Sequence, residues 1–134
     1  MVVDSSAVVA ILEEEPGSDE LLQRLVEAGM RRISAATLLE TAIVLESKSG
    51  EAAGDQLDLF LARGGIVVED VTAEQIQIAR KAWRKFGKGS GHPAGLNYGD
   101  CFSYALAKAF GEELLFKGGN FGKTGVAAQS EGRV

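Results

Sequence analysis

Val2-Val3-Asp4-Ser5-Ser6-Ala7-Val8-Val9-Ala10-Ile11-Leu12 is the stretch whose reading decides the fold class. Two β-branched residues predict a short buried strand, which stops on a carboxylate. Ser5 and Ser6 then cap a helix running to about Leu12. The same alternation continues along the chain. After the breaker Pro16-Gly17, Leu21, Leu22, Leu25 and Val26 recur at helical spacing, and Gly29 closes that helix. Arg32-Ile33-Ser34 is a second short strand. Residues 36–47 predict a strongly apolar helix stopped by Gly50, and 51–63 another closed by Gly64-Gly65. Ile66-Val67-Val68 reads as a buried strand. Thr72 and Gln75 have capping-box spacing, and the helix after them sets Ile76, Ala79, Trp83 and Phe86 on one face. A loop over 87–95, a helix over 98–110, the strand Leu114-Leu115-Phe116 and a loop over 117–122 follow. Val126 marks a last short strand, and a tail begins at about Gln129. Short apolar strands separated by helices predict an α/β fold whose parallel sheet is covered on both faces. Such sheets carry their working groups at the carboxyl ends of strands. That directs attention to Asp4 and to the loop after Phe116.

The 134 residues amount to one domain, 1–134, long enough to bury a core without covalent staples. One cysteine excludes an internal disulfide and a multi-cysteine zinc site, and one histidine excludes a two-histidine acid–base pair. No stretch reads as a signal peptide, and the apolar windows 7–12 and 35–45 fall short of the roughly 20 residues of a membrane span. The expectation is a cytoplasmic protein without a membrane partner. Fourteen Lys and Arg against 19 Asp and Glu give a net charge of −5, which at first sight disfavours nucleic acid.

Three acids differ from the solvated runs Glu13-Glu14-Glu15 and Glu112-Glu113. Asp4 ends a strand, Glu40 sits in the apolar run Ala35–Leu45, and Asp100 opens a helix in Asn97-Tyr98-Gly99-Asp100-Cys101. Each has an ordinary structural role open to it: an N-cap for Asp4, a salt bridge to arginine for Glu40, a first-turn acid for Asp100. A helix as apolar as 36–47 predicts burial on most faces, where an unpaired carboxylate is costly. Carboxylates that converge without histidine or cysteine suit a hard cation, Mg²⁺ or Mn²⁺, which can activate water and neutralise a phosphodiester.

These stretches together resemble the PIN-domain ribonucleases, and among them the VapC toxins of bacterial toxin–antitoxin pairs. The opening Val2–Leu12, the run Ser34-Ala35-Ala36-Thr37-Leu38-Leu39-Glu40-Thr41, the segment Gly87–Lys108 and Leu114-Leu115-Phe116-Lys117-Gly118 match in order, over Val2 to about Val126. The resemblance implies a three-layer α/β/α sandwich around a central parallel sheet. It implies a Mg²⁺- or Mn²⁺-dependent endoribonuclease acting on structured RNA, tRNA included. It also implies a VapB-like antitoxin that blocks the site, operator DNA bound through that antitoxin, and a homodimer. Asp4, Glu40 and Asp100 match the catalytic and metal-holding acids, and Ser6 the supporting hydroxyl. One position departs: Asn120 stands where a fourth acid is expected, and Gly125 where a later Asp is common. An amide oxygen can still ligate or hydrogen-bond a metal's water but carries no charge. Weakened metal binding is the consequence expected of Asn120. The alternative function is a catalytically impaired binding module of the same fold, kept for complex formation with antitoxin and operator.

The charge is unevenly placed. Residues 1–79 hold 15 acids and 5 bases, whereas 80–134 hold 4 acids and 9 bases. Arg80, Lys81, Arg84, Lys85 and Lys88 run without an intervening acid, with Arg80 and Arg84 on one helical face. Arg84, Lys85 and Lys88 are candidates for RNA phosphate contacts, beside a solvated-face reading, and Lys117 is the candidate for a single contact near the acids. Cys101 reads as a small buried hydrophobe, His92 as a loop residue, and Trp83, Phe86, Phe102 and Phe60 as core or dimer surface.

Overall fold

The computed structural model describes residues 1–126 and the backbone of 128–130. Five strands, β1 (Val2–Val3), β2 (Arg31–Ser34), β3 (Ile66–Glu69), β4 (Leu114–Phe116) and β5 (Ala128–Ser130), form one parallel sheet in the order β3-β2-β1-β4-β5. The helices are α1 (Ser5–Leu12), α2 (Ser18–Glu27), α3 (Ala35–Ser49), α4 (Glu51–Arg63), α5 (Ala73–Phe86) and α6 (Tyr98–Phe110).

Strand alternation builds the layers. Side chains of successive strand residues point to opposite faces. Val3, Ile33 and Leu115 therefore pack with Ala7, Leu21, Leu25, Leu45 and Leu57 of α1–α4. Val2, Leu114 and Phe116 pack instead with Ala82, Phe86, Tyr104 and Leu106 of α5 and α6. Two separate apolar clusters on the two sides of one sheet are the covered sheet that the residue pattern predicts and the α/β/α sandwich that the resemblance implies.

The order of the strands also fixes where a site can form. From β1 the chain adds β2 and β3 on one side, then returns to place β4 and β5 on the other. The crevice between the carboxyl ends of β1 and β4 is thus the switch point, the place where open α/β sheets bind ligands. Asp4 follows β1 and Lys117 follows β4, so both stand at that crevice.

Several expectations change. Val67 and Val68 are 42% and 43% exposed rather than buried, because β3 is an edge strand and only Ile66 is covered. α3 is not buried on most faces either: Leu39, Ile43 and Val44 are exposed, and so are Ile76 and Trp83 on α5. The last strand is Ala128–Ser130 rather than Val126, which is a buried residue preceding it. Of the expected tail, Gln129 and Ser130 belong to β5, and residues 131–134 lie outside the described residues. The Thr72/Gln75 box is half realised. Thr72 accepts from the Gln75 amide, but the Gln75 side chain donates to the Asp70 carbonyl. Among the described residues no helix is long and apolar enough to cross a membrane.

Candidate active site

Asp4 caps α1, and the same carboxylate is the most enclosed acid of the three. Its Oδ2 accepts from the Ser6 amide at 3.0 Å and from the Ser6 hydroxyl at 2.7 Å. Its Oδ1 accepts from the Ser103 hydroxyl at 2.6 Å. Ser103 lies 3.2 Å from the Thr37 hydroxyl. Because the single Ser103 proton goes to Asp4, Thr37 is the donor of that pair. Asp4, Thr37 and Ser103 are all buried. A carboxylate held by three donors from α1 and α6 is fixed in orientation. The structural role and the site role expected of Asp4 are therefore one arrangement.

Glu40 projects from α3 toward the first turn of α6. Among the described residues no arginine pairs with it, and Ser5 favours its ionised form. Partial burial, then the negative charge of Asp4, push its carboxyl above the usual range. The carboxylate lies directly on the backbone of Gly99: a Cβ there would stand 2.2 Å from Glu40 Oε2. Gly99 is thus the residue that lets α3 and α6 bring Glu40 and Asp100 side by side.

Asp100 shares a reciprocal capping box with Asn97. The Asn97 side chain accepts from the Asp100 amide at 2.8 Å, and the Asp100 carboxylate accepts from the Asn97 amide at 3.0 Å. Burial is the main force on its carboxyl, and Asp4 and Glu40 add to it. Together they outweigh the Asn97 and Asn120 hydrogen bonds and push Asp100 up to about 6. Three acids from three helix starts or faces therefore lie close enough to repel one another.

The donor set fits a hard divalent cation. It is all oxygen, and among the described residues none of the three acids is ion-paired to a side chain. The cradle at Gly99 leaves Glu40 room only because a methyl group is absent. No three acids, histidines or cysteines among the described residues are drawn into one coordination sphere. Cys101 offers no nucleophile: burial, then Asp100, raise its thiol, and its S–H donates to the Asn97 carbonyl. His92 accepts from the Ala94 amide and stands edge-on to Phe86, as a loop residue.

Of the other candidates, Ser6 and Asn120 join the acids. Arg80, Trp83 and Arg84 of α5 and Tyr98 and Phe102 of α6 line a groove. Tyr98 and Phe102 also line the hollow that contains Glu40 and Gly99, so the same two side chains border both. Lys85 lies over the Phe86 ring instead, and Lys88 starts the following loop. Lys117 donates its amide to Ser6 Oγ and pairs through Nζ with Glu15. Sequence reasoning missed Ser103, Thr37 and Glu15. The spacing Asp100-x-x-Ser103, one turn apart on a buried helix, was the available signal for the first; Glu15 was hidden in an acidic run.

A family model described as PIN domain matches residues 1–127. The chain belongs to the PIN-domain family. Ribonuclease VapC of Mycolicibacterium smegmatis is 53% identical to this PIN domain over 128 residues, 96% of the chain and 98% of the relative. Identity of that extent places the chain in the VapC branch of the family. Among solved structures, VapBC2 of Rickettsia felis, bound to a DNA fragment from its promoter, matches with a TM-score of 0.74 at 19% identity, over 96% of each chain. VapC20 of Mycobacterium tuberculosis, a sarcin-ricin loop cleaving toxin, matches with a TM-score of 0.72 at 20% identity, over 93% of this PIN domain and 95% of that chain. At such identities the two structures speak for the fold.

Proposed function

We propose that this PIN domain is a metal-dependent endoribonuclease toxin that hydrolyses a phosphodiester of structured RNA, with tRNA as a first candidate. The observation that carries the reading is the meeting of Asp4, Glu40 and Asp100 at the sheet's switch point, mutually repelling and without a side-chain cation among the described residues. In the mechanism, these three carboxylates would hold Mg²⁺ or Mn²⁺. When bound, the ion supplies charge neutralisation at the phosphodiester and an activated water at neutral pH. Ser6 and Ser103 keep the Asp4 oxygens oriented, and Asn120 favours the ionised form of Asp100. Arg84, in the groove bordered by Tyr98 and Phe102, and Lys117 contact phosphates of the substrate, with Lys85 and Lys88 farther along the basic stretch. The test is cleavage of total cellular RNA with and without Mn²⁺, with an Asp4 variant as the control.

Asn120 favours a second reading, the impaired binding module. Metal titration together with the cleavage assay separates the two. In the structure Asn120 supports the ionised form of Asp100. Asn120→Asp replaces that support by a like charge, so the metal-free protein should lose stability. With the added charge, Mn²⁺ affinity should rise about tenfold, read by titration calorimetry. An unchanged affinity would contradict the role given to Asn120.

The partners follow the same reading: a VapB-like antitoxin that occupies the acidic site, and operator DNA reached through it. The VapBC assembly among the structural matches is the precedent for this arrangement. A second copy of the chain is the third partner. Leu39, Ile43, Val44, Trp83 and Tyr98 stand 63%, 56%, 36%, 45% and 79% exposed on α3, α5 and α6. Apolar surface of this kind marks an interaction face. Ile43→Glu should convert a dimer to a monomer in sedimentation velocity at micromolar protein without lowering the monomer's Tm; a wild-type monomer would refute the assignment.

A further inference from the structure

The α1–α2 turn does more than connect helices. After α1 the Glu14 amide donates to the Ile11 carbonyl and the Glu15 amide to the Ala10 carbonyl at 2.9 Å. This is a Schellman closure, whose turning residue is ordinarily glycine. Here that residue is Glu14, at φ 52°, the one non-glycine residue in the left-handed region among those described. A Cβ crowds the following carbonyl in that conformation. Such strain persists where the surroundings enforce it, and it concentrates at functional sites. The strained turn delivers Glu15 to the post-β4 loop, where Oε1 lies 2.9 Å from Lys117 Nζ. The pair joins positions 102 residues apart, and each side chain is about a third exposed. Ion pairs of that exposure add little stability, so stability is a poor account of a strained turn. Lys117 itself is one hydroxyl from the site: its amide donates to Ser6 Oγ at 3.0 Å, and Ser6 donates to Asp4. Gly118, at φ 105°, and Gly119 follow it, giving the loop beyond little stiffness of its own.

We infer that Glu15 is a positioning residue, which holds the Lys117 ammonium at the rim of the acidic crevice in the orientation that meets a backbone phosphate of the bound RNA. This rests on the ribonuclease reading of the site. A carboxylate on one side of an ammonium orients it without exhausting its three donors. It also lowers the entropy lost when a four-carbon side chain is fixed against a phosphate.

A double-mutant cycle tests the inference, using E15Q, K117M and the pair. The substrates are a total tRNA preparation with Mn²⁺ for cleavage and fluorescein-labelled tRNA in metal-free buffer over a KCl series for binding. K117M should weaken binding and reduce the magnitude of the log–log salt slope by about 1. E15Q keeps the ammonium and removes a negative charge, so the salt slope should stay at the wild-type value or steepen. Its kcat should nevertheless fall about three- to tenfold, and in the K117M background it should change nothing. A structural tie alone would lower Tm only where Lys117 is present, and would leave kcat and KM where they were. E15Q with the wild-type kcat, or effects of the two changes that multiply, would overturn the inference. A wild-type protein that cleaves nothing with Mn²⁺ would refute the ribonuclease reading instead. The cycle is then taken on tRNA affinities, where independence of Glu15 and Lys117 overturns the positioning role.

Discussion

Asp4→Asn is expected to cut RNA cleavage by about 10²–10³-fold while leaving the fold nearly as stable as before. Asparagine is as good an N-cap as aspartate, and its amide oxygen can still accept from Ser6. One of the two oxygens becomes an amide nitrogen, so either Ser6 or Ser103 loses an acceptor; at present both donate to this carboxylate. Against that small loss stands a gain: Asp4 is one of the charges that raise Glu40 and Asp100. The two effects oppose each other, so Tm should move little. What the variant lacks is the negative charge for a divalent cation. Wild-type Tm should rise on addition of Mn²⁺, as any ligand of the folded state requires, and this rise should be absent from Asp4→Asn. Asp4→Ala is the harsher control. It removes the cap as well, at about 1 kcal/mol, and leaves two hydroxyls without their acceptor. Cleavage by Asp4→Asn at the wild-type rate would remove Asp4 from the site.

Asp100→Asn should abolish cleavage to a similar degree, yet make the metal-free protein more stable at pH 7. The sign follows from the direction of the shift. Asp100 is raised to about 6, against 3.8 for the ordinary group. Between those values the folded state binds more protons than the unfolded one, so stability falls as pH rises through that window and is level above it. The protonated carboxyl belongs to the more stable fold; its ionised form carries a penalty of burial and repulsion. A neutral amide removes the penalty at every pH. After allowance for solvent screening of a partly buried group, the gain is about 1 kcal/mol. Thermal melts from pH 4 to 7 without metal should slope downward for wild type and be flatter for the variant. Bound metal competes with the proton for this carboxylate, so saturating Mn²⁺ should flatten the wild-type profile also. A variant less stable than wild type at pH 7 would show that the capping box, rather than the repulsion, dominates at this position.

Both predictions place opposing roles in single residues, and this governs what could be read from the chain. Val2-Val3-Asp4-Ser5-Ser6 was sufficient for a strand, an N-cap and an acid, because strand and cap chemistry are local. The same holds for the helix over 98–110 and the loop that begins at Gly87. Burial was not local. Leu39, Ile43, Val67, Val68 and Trp83 are as apolar as the residues of the core, yet they are exposed, because sheet order leaves β3 at an edge and α3 and α5 with open faces. The acids show the same division. Their isolation among apolar neighbours singled out Asp4, Glu40 and Asp100, but no spacing could reveal that Ser103 would donate to Asp4 across 99 positions. Nor could it reveal that Gly99 is needed because Glu40 lies against its backbone, or that Glu15, one of three consecutive acids, pairs with Lys117. The sequence by itself determined the α/β class, the candidate acids and the family likeness, since periodicity, capping and motif order are properties of neighbouring residues. Only the tertiary structure decided which faces are covered, which hydroxyls orient the carboxylates and how strongly the acids repel one another, because those depend on distances between segments brought together by the sheet's switch point.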